Sequence, residues 1–287
     1  MKPKLLTVLS LLLAPVYPAQ VQLSFSAEIH GSGQPMILIP GLESPGRVWQ
    51  SVIDKYQSKY QIHALTLAGF AGEPAVPGLR LAQVRDDIVA YIEKNKLVKP
   101  IIVGHSLGGF IAFWIGSSAP DLVGKIVSVD GLPFLPALMD ASTGAAEARV
   151  QAEQMRSLYA SLTPEQVQNM AKMSLAQMIS DPKMVETAVT WAARSDAAFV
   201  GQAVYDLMTT DLRPELTKLR SPVLLVGAAK AFASSPEQFA RIRAAYEEQV
   251  ANAPEHRVVM AEHALHFIML DDPEFLIHEI GAFLGER

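Results

Sequence analysis

The run Pro100-Ile101-Ile102-Val103-Gly104-His105-Ser106-Leu107-Gly108-Gly109, continued by Phe110–Ile115, decides the fold. Its first four residues form a short, uninterrupted apolar stretch, the pattern of a strand buried on both faces of a parallel sheet. Its last six read as an apolar helix. Between them lies G-x-S-x-G, so the order is strand, tight turn, helix. Such a turn leaves no room for side chains two positions either side of the serine, and Gly104 and Gly108 supply that room. Ser106 is thereby lifted above the sheet at a helix N-terminus, where the backbone amide of Leu107 and the helix dipole can face a developing oxyanion. The five-residue pattern alone arises by chance in many proteins. The strand before it and the helix after it carry the reading of Ser106 as a nucleophile.

Outward from this segment, further apolar strand-like runs recur at Met36–Pro40, Ile62–Leu67, Ile126–Val129, Val223–Val226 and Arg257–Met260. Helical patterns lie between them. Leu81–Lys94 repeats apolar residues at helical spacing (Leu81, Val84, Ile88, Ile92), and Pro273–Leu284 follows Asp272, a cap residue, with proline in the first turn. Strand alternating with helix predicts a mostly parallel, doubly wound α/β sheet. Val21–Glu28 alternates instead and reads as an antiparallel strand leading, through Gly31-Ser32-Gly33, into Met36–Pro40. From about Gly131 to Thr210 no convincing strand occurs. Thr163-Pro164-Glu165-Gln166 and Asp181-Pro182 are helix starts, so this stretch reads as a helical insertion between two strands. It holds seven of the eleven methionines (Met139, Met155, Met170, Met173, Met178, Met184, Met208). Flexible, polarisable side chains there would suit a roof over varied apolar groups, while any single methionine also fits plain packing of these helices onto one another and the core.

With these segments in view, the chain resembles the α/β-hydrolase superfamily, in its capped esterase and lipase-like branch, over residues 25–284. Ile37-Leu38-Ile39-Pro40-Gly41-Leu42 is similar to the strand and loop that donate a second oxyanion-hole amide. The resemblance places that role on Leu42, as the partner of Leu107. The family's usual His-Gly is Pro40-Gly41 here; because the donor is a backbone N–H, the side-chain change leaves it available. Ala264-Leu265-His266-Phe267, followed by an apolar stretch, Asp271-Asp272 and Pro273, is similar to the catalytic-histidine loop and implies His266 as the base. His263 is the competitor, closer to the strand and without an aromatic follower. His105 occupies the variable position of the elbow and packs or orients locally; His30, His63, His256 and His278 read as surface or structural.

One segment departs from the family. After Val223-Leu224-Leu225-Val226-Gly227 the acid is commonly three residues past the glycine, and here that residue is Lys230. Asp130 is the best substitute. It ends the strand Ile126–Val129, and both strand ends lie on the same rim of the sheet. The physical role would be unchanged: accept the histidine N–H, fix its tautomer and stabilise the imidazolium. Asp206 and Asp211 are the runners-up. A serine at position 106, rather than the carboxylate nucleophile of dehalogenases and epoxide hydrolases, points to acyl transfer.

Composition narrows the setting. The net charge is −5 with no long Lys/Arg run, which removes the electrostatic footprint of nucleic-acid binding. No cysteine is present, excluding disulfides and thiolate catalysis. Met1-Lys2-Pro3-Lys4, the apolar stretch Leu5–Val16 and Tyr17-Pro18-Ala19-Gln20 describe a secretory signal peptide with cleavage after Ala19. The stretch is too short to span a bilayer comfortably. Cleavage would leave 22 basic against 29 acidic residues, a net charge of −7. The sequence therefore predicts an exported protein, in a bacterial periplasm or the medium, with no stable membrane anchor after cleavage. Its expected organisation is a signal peptide (1–19), an α/β core (20–130 and 211–287) and a helical cap (131–210). The expected activity is hydrolysis of small to medium apolar esters, lactones or thioesters by Ser106, His266 and Asp130, without metal or organic cofactor. Carbon–carbon bond hydrolysis, cofactor-free perhydrolysis and a non-catalytic binding protein on the same fold are the alternatives.

Overall fold

A computed structural model of the chain describes residues 24–138, 140–232 and 234–286. The expected signal peptide lies outside them. Seven strands form one sheet in the order β1-β3-β2-β4-β5-β6-β7. They are β1 (Phe25–His30), β2 (Gln34–Ile39), β3 (Tyr60–Leu67), β4 (Ile101–His105), β5 (Lys125–Val129), β6 (Val223–Ala228) and β7 (His256–Ala261). All neighbours are parallel except β1, which runs antiparallel to β3. The expected antiparallel strand near the N-terminus is present as β1, which pairs with β3 and runs to His30, and residues 21–23 of the expected span lie outside the described residues. The burial patterns explain the order. β3 is buried along nearly its whole length and needs a neighbour on each side, whereas β1 alternates and exposes Glu28 and Ile29, as an edge strand can.

Ten α-helices surround the sheet among the described residues: α1 (Gln50–Tyr56), α2 (Leu81–Lys94), α3 (Leu107–Ser118), α4 (Ala145–Ser161), α5 (Pro164–Leu175), α6 (Pro182–Ala192), α7 (Ala197–Thr209), α8 (Pro236–Val250), α9 (Ile268–Asp271) and α10 (Pro273–Leu284). The two faces of the sheet build separate cores because side chains alternate along each strand. Ile37 and Ile39 of β2 pack with the apolar stripes of α2 and α3, while Met36 and Leu38 pack with those of α1 and α10. Helix starts follow the local signals. Thr163 forms a capping box with Gln166, and the side chains of Asp181 and Asp272 accept from Lys183 and Phe275 amides, each ahead of a proline in the first turn. Between β5 and β6 the chain is helical (α4–α7), with α4 packed on α7 and α5 on α6. No helix among the described residues is long and apolar enough to cross a membrane.

The strand order fixes where a site can form. From β2 the chain first goes to β3 on one side and then to β4 on the other. The crevice at the C-terminal ends of β2 and β4 is therefore the topological switch point of the sheet, the place where open α/β sheets bind ligands.

Candidate active site

The turn after β4 is as tight as the glycine spacing demands. A Cβ on Gly104 would sit 2.1 Å from the Gly108 carbonyl oxygen, and one on Gly108 2.2 Å from that of Ile39. Ser106, at the apex, has φ 51° and ψ −116°, a conformation that costs a residue bearing a Cβ and persists only where the surroundings enforce it. They do so from both sides: the Ser106 amide donates to Val129 O at 2.9 Å, and the Phe110 amide to Ser106 O at 3.1 Å. Leu107 opens α3, whose first amides have no intrahelical partners. Across the switch point, Pro40-Gly41-Leu42 leaves β2, and Gly41 lies against Ser106, since a Cβ there would be 3.2 Å from the serine Cβ. No backbone carbonyl among the described residues accepts from the Leu42 or Leu107 amide, so both donors are available to a ligand.

Asp130 leaves β5 with φ 51°, another left-handed residue at a strand end. Its Oδ2 lies 2.5 Å from Nδ1 of His266. Its Oδ1 accepts from the Ala228 amide at 2.7 Å and from the Tyr246 hydroxyl at 2.6 Å. Asp130 is only 9% exposed at its side chain, and these three donors are what a buried carboxylate needs. Tyr246, on α8, is buried. That burial, and then the Asp130 charge, push its hydroxyl well above the usual tyrosine range, so it remains a proton donor. With Nδ1 held by Asp130, Nε2 is the imidazole nitrogen left for other chemistry.

The histidine loop between β7 and α10 is held by its own acid and by the neighbouring histidine. Asp271 accepts from the Leu265 amide at 2.9 Å and from Ser180 through both amide and hydroxyl. His105 Nε2 lies 3.1 Å from the carbonyl oxygen of His266, and because a carbonyl only accepts, Nε2 carries the proton. Its ring sits 4.6 Å from the rings of both His266 and Phe267. Burial, followed by the charge of His266, pushes the His105 pKa well below the ordinary histidine value, so the ring stays neutral and fixes the loop. His263 is exposed and does not line the cavity described below.

The runners-up for the acid are engaged elsewhere. Asp206 is buried and accepts from Arg80 and from the Leu81 amide at 3.0 Å, tying α7 to the start of α2. Asp211 pairs with Arg213. Lys230, at the family's usual acid position, donates through Nζ to Ser180 Oγ at 2.8 Å. Ser106, Asp130 and His266 open onto one cavity of about 490 Å³. Its apolar wall comes from Leu132, Leu135, Leu138, Leu175, Leu207 and Phe232. Of the methionines between Gly131 and Thr210, only Met178 lines the cavity among the described residues, and Met173 is 75% exposed. Leu175 of α5, Leu207 of α7 and the three leucines ahead of α4 supply most of that wall, while α4–α7 bury mainly alanines and valines. Two residues that the sequence reading missed are Tyr246, whose helix carries no motif, and Glu43, which also lines the cavity. The one available signal for Glu43 was its position directly after Leu42, at the end of the loop that leaves β2. No group of three or more His, Cys, Asp or Glu able to hold a metal occurs among the described residues.

Comparison with known proteins bears on the family and the fold. A sequence model of the Alpha/beta hydrolase family matches residues 29–279. A pimeloyl-[acyl-carrier protein] methyl ester esterase of Aliivibrio salmonicida is 25% identical over 258 residues, covering 90% of this chain and 94% of that enzyme. Among solved structures, the enol-lactonase of Burkholderia xenovorans superposes with a TM-score of 0.72 at 15% identity, over 91% of this chain and 96% of that one. A thermophilic esterase of Thermogutta terrifontis gives 0.71 at 18% identity, over 91% and 93%.

Proposed function

The chain belongs to the Alpha/beta hydrolase family, and from that premise we propose that it is a serine hydrolase of carboxylic esters with an apolar acyl portion, acting through Ser106, His266 and Asp130. The observation that carries the proposal is the Asp130–His266 contact at 2.5 Å, on the same cavity as a serine held at the apex of a strained elbow. Asp130 fixes the tautomer with the proton on Nδ1, so Nε2 takes the Ser106 proton as Oγ attacks the ester carbonyl. The negative charge then forms where the amides of Leu42 and Leu107 can donate to it. The imidazolium, stabilised by Asp130, protonates the leaving alcohol, and the same nitrogen activates water to release the acid from Ser106. The leucine wall supports an apolar acyl group, since each methylene moved out of water there contributes about 0.8 kcal/mol.

The substrate of the Aliivibrio relative, an ester on a carrier protein, supports ester chemistry here without fixing what this chain's acyl group is attached to. The test is hydrolysis of a nitrophenyl ester chain-length series with a fluorophosphonate probe alongside. Ser106→Ala should abolish both turnover and labelling, while retention of most activity would overturn the assignment. We further propose export, on the strength of the basic start, short apolar core and Ala19-Gln20 junction. N-terminal sequencing of protein from a bacterial periplasm should begin near Gln20, and a chain beginning at Met1 in that compartment would refute it.

A further inference from the structure

Among the described residues, the proposed mechanism leaves the one carboxyl of the cavity besides Asp130 without a task. Glu43 directly follows the oxyanion-loop residue Leu42 and takes up the left-handed conformation at φ 58°, which costs any residue with a Cβ. Its half-buried side chain lines the cavity that holds Ser106 and His266, and no hydrogen bond or ion pair engages its carboxyl among the described residues. The other titratable groups lining that cavity are His105, Asp130, Tyr159, Tyr246 and His266. Asp130, Tyr246 and His266 are bonded to one another, and His105 is bonded to the His266 carbonyl. Tyr159, on α4, is near enough to feel Glu43: burial first, then the Glu43 charge, push its hydroxyl up to about 12. Among the described residues neither lysine nor arginine lines the cavity. Desolvation alone pushes the Glu43 carboxyl up to about 7, so near neutral pH it can ionise as soon as a cation enters.

We propose that Glu43 is a specificity-determining residue that selects esters carrying a cationic ammonium group, received by its carboxylate beside the Tyr159 ring. The proposal rests on the reading of Ser106 as nucleophile. An unpaired carboxylate next to Leu42 would oppose the negative charge forming at the oxyanion amides. A substrate ammonium neutralises it, and an aromatic face adds to that attraction. A hydroxyl on the substrate would leave the charge in place, and a substrate carboxylate would meet two acids and no cation.

The test uses two isosteric pairs that differ by one charge: acetylcholine against 3,3-dimethylbutyl acetate, and methyl 4-(trimethylammonio)butyrate against methyl 5,5-dimethylhexanoate. At pH 8, the wild-type chain should favour the cationic member of at least one pair by about tenfold or more in kcat/KM, the equivalent of one charge-assisted contact. In Glu43→Gln that ratio should fall to near unity, and in Glu43→Asp it should persist in part. The ratio is read within each variant, so a general loss of activity cancels. Equal rates for both members of both pairs in the wild type, or a ratio unchanged in Glu43→Gln, would overturn the proposal. Binding of the same four compounds to the Ser106→Ala chain gives a readout independent of turnover. Selective binding of the cations, lost when Glu43→Gln is added, supports the proposal, and absent or indifferent binding overturns it. Hydrolysis by Ser106→Ala would instead sink the nucleophile assignment and leave the charge ratio to be read on its own.

Discussion

The ends of β5 and β6 stand side by side on one rim, with Val129 paired to Val226, yet they are equipped differently. β5 leaves the sheet through Asp130, a carboxylate in a left-handed turn. β6 leaves through Gly227-Ala228-Ala229-Lys230 and offers no carboxylate, although related chains commonly have one there. What β6 supplies is backbone, the Ala228 amide that donates to Asp130 Oδ1. The difference teaches that an acid paired with an imidazole is defined by reach and by the donors around it. Neighbouring strands lie about 4.8 Å apart, so an acid can move from one strand end to the next and still meet the same ring. The vacated end then serves as part of the carboxylate's hydrogen-bond shell.

The strongest consequence falls on Asp130. Asp130→Asn keeps the shape of the side chain but lets the imidazole adopt the wrong tautomer, so turnover of a nitrophenyl ester should fall by at least about two orders of magnitude with KM less affected. The same substitution at Asp206 should leave turnover within about threefold of the wild type. It should instead lower the melting temperature, because it weakens the buried contacts to Arg80 and Leu81. A fall of less than about tenfold for Asp130→Asn would mean that the end of β5 is not the one that matters. Tyr246→Phe removes one of three donors on Asp130, a hydrogen bond to a charged group worth about 1.5 kcal/mol, and should lower kcat about tenfold with little change in KM. If kcat is unchanged, the Ala228 amide is sufficient as the shell. If KM rises while kcat holds, Tyr246 shapes the cavity and does not position the acid.

Much of the fold was legible because local signals and tertiary demands coincide. Leu81–Lys94 and Pro273–Leu284 form helices with the bounds their periodicity and caps imply, and the apolar runs became the buried strands. The elbow was legible because its glycines answer a steric requirement within a few residues of chain. Asp130 could be singled out because it ends an apolar run on the rim. What was illegible depends on distant parts of the chain meeting. Tyr246 reaches Asp130 across 116 residues of sequence, from a helix whose tyrosine carries no motif. The environment of Glu43 is made partly by Tyr159 of α4, and no reading of Leu42-Glu43-Ser44 alone could supply it.

The most direct measurement is the rate at which a fluorophosphonate modifies the chain, with the modified residue located by peptide mass mapping. Modification requires an activated nucleophile but neither a leaving alcohol nor deacylation, so it isolates the link from Asp130 through His266 to Ser106. The account predicts a single adduct, at Ser106, forming in Asp130→Asn at a rate lower by about two orders of magnitude and in Asp206→Asn at the wild-type rate. An adduct on another serine, or an Asp130→Asn chain labelled as fast as the wild type, would contradict it.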